Sequence, residues 1–177
     1  MKLILVRHGE TEENALGIIQ GWSVHGKLSK KGVNQAKKIS EKLKETKIDV
    51  IITSDLKRAI DTAKIIAVYH PKSEFVSTKE LRERNWGEFE GKKESDLDWN
   101  KIGHRHLDGF EKPKNGESID ELNNRIRNFL QNIKKRYPNN NVLVVSHDTF
   151  IRNLIRIIKE TPNFKGIRNE EIYKINI

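Results

Sequence analysis

Hydrophobic residues along the chain form two kinds of run. Short continuous runs bounded by polar residues predict buried strands, and a final run alternates like a closing strand. These segments are residues 2–6, 50–53, 142–145 and 172–177. A continuous apolar run is typical of a strand covered on both faces, so the first three segments indicate a parallel sheet.

Between the strands, apolar residues keep the spacing of amphipathic helices. One helix follows Ser29, which is a plausible N-cap, and a second carries Ala59, Ala63 and Ile66. A third is predicted from about Ser118 to Arg136, and a fourth follows residue 147. Strands that alternate with helices predict an α/β fold: a three-layer α/β/α sandwich around a mostly parallel sheet, with one antiparallel edge strand. We expect a single domain over residues 1–177.

Residues 85–116 lack clear periodicity and hold several glycines and two tryptophans, Trp86 and Trp99. A segment of this length in a compact domain is usually a binding element, so we predict a lid-like insertion. The tryptophans are expected to be packing residues that could also cover the apolar side of a pocket.

Composition narrows the class of protein. The 177 residues include no cysteine, which excludes disulfides and thiolate metal sites. We see no signal peptide and no membrane-spanning stretch, and therefore expect a cytoplasmic protein without membrane contact. The net charge of +9 is spread over many segments and interleaved with acidic residues, which argues against nucleic acid as a partner. A solvated surface with an electropositive pocket fits better.

Charged residues and histidines follow three of the predicted strands. Arg7 and His8 end the first strand, Arg58 begins the helix after the second, and His147 ends the third run. Each has an ordinary explanation, such as a strand reaching the surface or a solvated helix residue. Their occurrence at three equivalent places instead favours convergence at the carboxyl edge of the sheet, where α/β proteins bind ligands.

The chemistry that such a cluster suits is phosphoryl transfer. Two arginines present planar forks to phosphate oxygens and stabilise the charge of the transferring group. A neutral imidazole can attack phosphorus and form a phosphohistidine. The mechanism also needs an acid to protonate the leaving oxygen.

Four sequence blocks in a fixed order carry a resemblance to a known family. They are residues 5–11 with Asn14 and Gln20-Gly21, residues 54–63, residues 81–91, and residues 144–147. Together these blocks resemble the signature of the histidine phosphatase superfamily, which contains cofactor-dependent phosphoglycerate mutases and many phosphatases. Arg-His-Gly alone would be a weak signal, but the ordered series is a strong one.

The resemblance implies a role for each matching residue. His8 is the nucleophile that becomes phosphorylated, and Arg7, Arg58 and His147 hold the phosphate. Asn14 adds an amide donor, and Gln20 with Gly21 lies along the same pocket. The resemblance implies no metal and no other cofactor, since arginines and imidazoles supply the positive charge.

Glu83 matches the acid of the family. It would protonate the leaving oxygen and later take a proton from the attacking water. A bound phosphate dianion beside it should raise the pKa of its carboxyl group. Glu80 is the alternative acid, but its position fits a solvated strand residue better.

Two features depart from the family pattern. Asp148 follows the second histidine, where glycine is usual. We place Asp148 at the substrate site: its carboxylate could disfavour anion binding, or it could cap the following helix, which we expect. Residues 23–26 replace a turn that is common in relatives, so this rim of the pocket is expected to differ.

The other histidines are expected at the surface. They are His25, His70, His104 and His106. The stretch 103–106 invites a metal-site interpretation, but two imidazoles without carboxylate or thiolate partners at ligand spacing are weak evidence.

Three functions are compatible with these residues: a phosphomonoesterase for a small phosphorylated metabolite, a phosphoglycerate mutase, and a noncatalytic phosphate-binding protein. A mutase is expected to need extra basic residues after the acid, whereas Lys92 and Lys93 are followed by Glu94. A mutase must also keep water from the phosphohistidine, whereas we expect a compact pocket with a small lid to let water in. We therefore expect hydrolysis, in a protein closer to the phosphatases of the family; the sequence leaves a homodimer open.

Overall fold

The computed structural model describes residues 1–23, 25–98 and 112–177. Within these ranges five strands form one sheet in the order β3-β2-β4-β1-β5. The strands are β1 (Lys2–Arg7), β2 (Val50–Ser54), β3 (Glu74–Thr78), β4 (Asn141–Ser146) and β5 (Ile172–Asn176). Neighbouring strands are parallel except β5, which pairs antiparallel with β1 at one edge. The predicted fold class is confirmed.

The helices follow the predicted pattern. They are α1 (Glu12–Ala15), α2 (Lys30–Leu43), α3 (Lys57–Ala67), α4 (Ile119–Arg136) and α5 (Asp148–Lys159). Short 3-10 turns lie at Lys79–Leu81, Gly87–Phe89 and Glu94–Asp96. Ser29 caps α2 as predicted, since its side chain accepts from the backbone N–H of Gly32. Ser118 and Glu121 form a capping box at the start of α4.

Helices cover both faces of the sheet because side chains on successive strand residues point in opposite directions. Leu3 and Leu5 pack with the apolar faces of α4 and α5 in one core cluster. Ile4 and Val6 pack with those of α2 and α3 in the other. The sheet is therefore the middle layer of three, and its carboxyl edge lies open to the loops.

Two elements differ from the sequence prediction. The pattern did not predict β3, because this edge strand is largely exposed and its residues include Glu74, Ser77 and Thr78 rather than an apolar run. The pattern also did not predict α1, which has no buried residue. A strand or helix can be predicted from sequence when it buries an apolar face, and neither β3 nor α1 does so.

Part of the predicted lid lies outside the described residues. Of residues 85–116, the described part contains two 3-10 turns. Residues 99–111, with Trp99, His104 and His106, are outside it, so the lid and the surface positions of these histidines stay predictions.

The other two predicted surface histidines differ from each other. His25 is exposed, but His70 is buried, so the prediction for His70 is wrong. His70 lies shortly after α3, which ends at Ala67, and burial lowers the pKa of its imidazole. In the described parts of the chain, no helix combines the length and apolarity that a membrane crossing requires.

Candidate active site

Three strand ends meet at the carboxyl edge of the sheet, as the sequence predicted. β1 and β4 are parallel neighbours with Arg7 opposite Ser146, so His8 and His147 leave the sheet side by side. Their ring centroids are 5.0 Å apart and the ring planes are inclined by 60°. Arg58 lies in the first turn of α3, which follows β2 on the other side of β4.

A cavity of about 250 Å³ opens at this edge. Its described walls contain most of the predicted site residues, namely Arg7, His8, Asn14, Gln20, Arg58, Glu83 and Asp148. His147 is fully buried beside His8, and Gly21 contributes its carbonyl oxygen to Arg58, at 3.0 Å from Nη2. The predicted residues therefore lie at or next to a single cavity, and the volume of this cavity suits a small phosphorylated metabolite.

The protonation of His8 follows from its hydrogen bond. Nδ1 lies 2.7 Å from the carbonyl oxygen of Gly9, which can only accept, so Nδ1 carries the proton. This tautomer leaves a lone pair on Nε2. Burial, with the charges of Arg58 and Arg7, lowers the pKa of His8 well below its usual value. The imidazole is therefore neutral and nucleophilic over a wide pH range.

The turn after His8 is fixed by close contacts. The Gly9 N–H donates to Oγ1 of Thr62 at 3.1 Å, and the side chain of Asn169 donates to the His8 carbonyl at 2.6 Å. A Cβ on Gly9 would lie 2.4 Å from the carbonyl oxygen of Gly32. Glycine is thus required where the turn meets the start of α2, and this contact holds His8 in place.

Two of the residues predicted to hold the phosphate, Arg58 and His147, are buried. Arg58 is buried, and burial lowers the pKa of its guanidinium to about 10, so it stays protonated at neutral pH. Burial, followed by the charge of Arg58, lowers the pKa of His147 well below its usual value. Both ring nitrogens of His147 are buried and have no hydrogen-bond partner among the described residues. The neutral ring therefore has one N–H for which the described residues supply no acceptor.

Glu83 has the properties of a general acid. Its two oxygens accept from the backbone N–H groups of Arg84 (2.8 Å) and Thr149 (3.2 Å). Burial raises the pKa of its carboxyl group, and the negative charge of Asp148 adds to the rise. The sequence prediction attributed the raised pKa to bound phosphate, but burial raises it already in the free protein.

Arg125, on α4, supports the segment that carries Glu83, and sequence reasoning did not identify it. Its guanidinium donates to the backbone carbonyls of Glu80, Arg82 and Glu83 and pairs with the carboxylate of Glu117. Trp22 adds a hydrogen bond from its indole N–H to the Glu83 carbonyl at 2.6 Å. Nothing in the sequence pattern distinguishes Arg125 from the other basic residues of its helix.

Glu80 is not part of the cavity wall. It lies in a 3-10 turn rather than in the strand that the sequence suggested, and its carboxylate accepts from Asn132 at 3.1 Å. Of the two glutamates considered as the acid, Glu83 is therefore the one that lines the cavity together with His8.

Asn14 and Gln20 line the cavity in different ways. The Oδ1 of Asn14 accepts from the N–H of Thr11. Gln20 uses its amide internally: Oε1 accepts from Thr11, and Nε2 donates to Glu13. Gln20 therefore shapes the wall, whereas Asn14 keeps the role of an amide donor as a prediction.

Asp148 does not cap α5, and that prediction is wrong. The N-cap position is occupied by His147, and Asp148 is the first helical residue. Its Oδ1 lies 3.4 Å from Nη1 of Arg7, and its Oδ2 lies 3.9 Å from Nη1 of Arg152. The two guanidinium groups attract the carboxylate towards the cavity, while its charge in the first turn still suits the helix dipole.

Glu90 joins two walls of the cavity and was also not identified from the sequence. Its carboxylate accepts from the N–H groups of Trp22 (2.9 Å), Ser23 (2.7 Å) and Trp86 (3.0 Å). Trp86 lines the cavity, and the guanidinium of Arg84 lies 4.6 Å from the centre of its ring. Residues 23–26 form the rim that we expected to differ from relatives. Its first residue, Ser23, is bound by Glu90, and Val24 lies outside the described residues.

Metal ligands do not cluster in the described part of the chain: it contains no group of three or more His, Asp or Glu side chains placed to hold an ion. The histidines of residues 103–106 lie outside that part. The absence of a metal therefore stays a prediction from the residues.

Comparison with known proteins gives a consistent result. A sequence model described as the histidine phosphatase superfamily (branch 1) matches residues 3–175. The chain is 37% identical to phosphoglycerate mutase-like protein 4 of Arabidopsis thaliana, covering 86% of this chain and 69% of that protein. It is 32% identical to a metal-independent phosphoserine phosphatase of the same plant, covering 99% and 76%. The alpha-ribazole phosphatase structure from Shigella flexneri matches with a TM-score of 0.88 at 25% identity, covering 100% and 91%.

Proposed function

The chain belongs to the histidine phosphatase superfamily, and from this premise we propose that it is a phosphomonoesterase acting on a small phosphorylated metabolite. The observation that carries the proposal is the pairing of a neutral His8, protonated on Nδ1, with a buried Glu83 whose pKa is raised. A lowered pKa of the histidine and a raised pKa of the glutamate both favour the forms that a nucleophile and a general acid require.

In the first step, Nε2 of His8 attacks phosphorus and the P–N bond forms as the P–O bond to the alcohol breaks. Arg7, Arg58 and His147 donate to the phosphoryl oxygens and stabilise their charge. Glu83 gives its proton to the leaving oxygen, so the alcohol departs neutral and Glu83 becomes a carboxylate.

In the second step, Glu83 takes a proton from a water molecule, whose oxygen attacks the phosphoryl group. The P–N bond breaks, inorganic phosphate leaves, and His8 recovers its neutral form with the proton on Nδ1. Glu83 ends the cycle protonated. In this scheme the arginines and His147 supply the electrostatic stabilisation, and no metal ion is used.

The relatives of the chain include mutases as well as phosphatases, so mutase activity is the second candidate. A mutase binds a substrate with a carboxylate in addition to its phosphate. Besides Arg7 and Arg58, which are proposed to hold the phosphate, the described cavity wall has one further cation, Arg152, and this residue is already close to Asp148. The charge of the wall therefore favours hydrolysis. A noncatalytic role would leave His8 and Glu83 without a function.

Phosphate release from p-nitrophenyl phosphate, with and without EDTA, tests the proposal. We expect the wild type to be active and insensitive to EDTA, and His8→Ala to lose essentially all activity. His25→Ala removes an exposed histidine and is the matched control. Equal activity in the wild type and His8→Ala would contradict the mechanism.

A second measurement separates intermediate and product. Enzyme quenched in alkali during turnover should carry a phosphoryl group on His8, detectable by mass spectrometry of the peptide. Formation of 2-phosphoglycerate from 3-phosphoglycerate faster than phosphate release would instead identify a mutase.

A further inference from the structure

Asp148 places a carboxylate in the wall of the phosphate pocket. It lines the cavity, and its side chain is 30% exposed. The 3.4 Å separation from Arg7 and the 3.9 Å separation from Arg152 are longer than a usual charge-assisted hydrogen bond. The carboxylate therefore keeps part of its charge facing the cavity.

The structure restricts where this carboxylate can move. Arg7 lies on one side of it and Arg152, one helical turn further along α5, on another. Behind it, a Cβ on Gly166 would lie 3.0 Å from Oδ1. A larger residue at 166 would thus touch the carboxylate, which shows that the segment around Gly166 packs directly against it.

Asp148 is also next to the leaving-group end of the site. The N–H of Thr149, the following residue, donates to Oε2 of Glu83. Because Glu83 is the proposed proton donor to the leaving oxygen, the alcohol must pass close to the start of α5. Asp148 therefore borders both the phosphate and the alcohol that the phosphate leaves.

The charges of the described wall fit a phosphate with no further negative group. Three arginines, Arg7, Arg58 and Arg152, face two carboxylates, Asp148 and Glu94, while burial favours the protonated form of Glu83. The histidines are neutral. A phosphate dianion already exceeds the positive charge of the described wall, so this part of the wall leaves no cation for a second anionic group of the substrate beside Asp148.

We propose that Asp148 is a specificity-determining residue that selects phosphomonoesters whose alcohol carries no second negative charge. The inference rests on the proposed phosphatase function and narrows its substrate class. It also gives a physical reason for hydrolysis of simple monoesters over reactions of phosphoglycerates.

Two substrates of nearly equal shape test it. sn-Glycerol 3-phosphate and 3-phosphoglycerate differ in a hydroxymethyl group against a carboxylate. The ratio of their kcat/KM values cancels the contribution of the shared phosphate. We expect the wild type to favour the glycerol phosphate, and Asp148→Asn to lower the ratio about tenfold, because removing a like charge near the carboxylate lowers the barrier for that substrate alone.

The controls separate charge from structure. Asp120→Asn removes a carboxylate from the first turn of α4, away from the cavity, and should leave the ratio unchanged. In the wild type, raising the salt concentration should lower the ratio of the two kcat/KM values, because screening weakens the repulsion between Asp148 and the substrate carboxylate. This measurement needs no variant. A ratio that falls both with added salt and in Asp148→Asn supports the inference.

The failures are distinguishable. A wild type that prefers 3-phosphoglycerate, or an Asp148→Asn variant that changes both substrates in parallel, overturns the role of Asp148 and leaves the phosphatase proposal standing. A wild type that releases phosphate from neither substrate nor from p-nitrophenyl phosphate contradicts the proposed function itself.

Discussion

Arg125 and Glu117 form a bidentate ion pair next to the segment that carries Glu83, the proposed general acid. Nε and Nη2 of Arg125 lie 2.9 and 2.7 Å from the two carboxylate oxygens, and the side chains are only 16% and 10% exposed. The same guanidinium binds the carbonyl of Glu83 at 3.2 Å. The position of the acid therefore depends on a residue outside the cavity wall.

Arg125→Leu should destabilise the protein by roughly 3 kcal/mol, because Glu117 and three backbone carbonyls would lose a buried partner. Urea unfolding followed by circular dichroism measures the change. Activity should fall most on substrates with poor leaving groups, which depend on a well-placed Glu83.

Arg127→Leu is the matched control for this prediction. Arg127 is exposed on the same helix, and its replacement should change stability by no more than about 0.5 kcal/mol. An equal loss of stability in both variants would show that the hydrogen bonds of Arg125 contribute no more to the free energy of unfolding than an exposed arginine does.

The pH profile of kcat/KM should have a mildly acidic maximum. The free enzyme needs His8 neutral and Glu83 protonated. The pKa of His8 is lowered well below 6.5, chiefly by burial, so activity persists as the pH falls below that value. The pKa of Glu83 is raised above 4.5, again chiefly by burial, so activity declines only as the pH rises through this higher value.

Glu83→Gln tests which group causes the decline of activity on the alkaline side of the pH profile and which causes the decline on the acidic side. The variant should be slow, most of all on alkyl phosphates, and its profile should lack the alkaline limb that Glu83 causes. An aryl phosphate serves as the substrate for both proteins, so its own ionisation is common to the two profiles. Persistence of the same alkaline limb in the variant would assign that limb to another group.

Glu83 should also reduce stability as the pH rises. Its native-state pKa is raised above the unfolded value of about 4.5, so the unfolded chain loses this proton first. Stability from the protonated carboxyl is present below the unfolded pKa and is lost as the pH rises through the native pKa. The free energy of unfolding of Glu83→Gln, relative to the wild type, should therefore increase with pH from about 4.5 upward and then level off.

Urea titrations across this range measure the difference. Its pH dependence carries the test, since the amide also changes the hydrogen bonds to Arg84 and Thr149 by a constant amount. Glu80→Gln corrects for effects common to the loss of one carboxylate in this segment. A difference that does not vary with pH would disagree with a raised pKa.

Gly32→Ala should destabilise the protein by about 1–3 kcal/mol through overpacking, although alanine is the better helix former. A Cβ at this position would lie 1.9 Å from the carbonyl oxygen of Glu10, so the chain just after His8 would have to shift. Thermal unfolding measures the loss, and kcat should fall with it. Asn34→Ala, at an exposed position of the same helix, should cause neither change.

Most of the fold could be predicted because most of its elements bury one face or both. The apolar runs around Leu3, Ile51 and Leu143 mark strands covered by helices, and their order gave the layers. β3 was not predicted because an exposed edge strand has no apolar pattern. The burial of His70 was not predicted because the helical spacing of α3 carries no information on residues beyond its end.

The site was predictable in a different way. His8, Arg58 and His147 follow strands, so the topology alone brings them together, and resemblance assigned Glu83. The supporting groups Arg125 and Glu90 act through side-chain contacts between segments that are distant in the chain, and no periodicity records such contacts. Asp148 was noticed as a departure, but whether it would cap the helix or face the cavity depended on the positions of two guanidinium groups.

The pairing of β1 with β4 has a consequence for folding. His8 is near one end of the chain and His147 is near the other, and they become neighbours only when Arg7 lies opposite Ser146. A slip of one residue in this pairing would exchange the faces of every side chain on the strand, so the core rejects it. During refolding, helical signal can therefore return before the two strands meet, whereas turnover can return only afterwards. The time at which enzymatic activity recovers should therefore report when the strands that carry His8 and His147 have paired across this long stretch of chain.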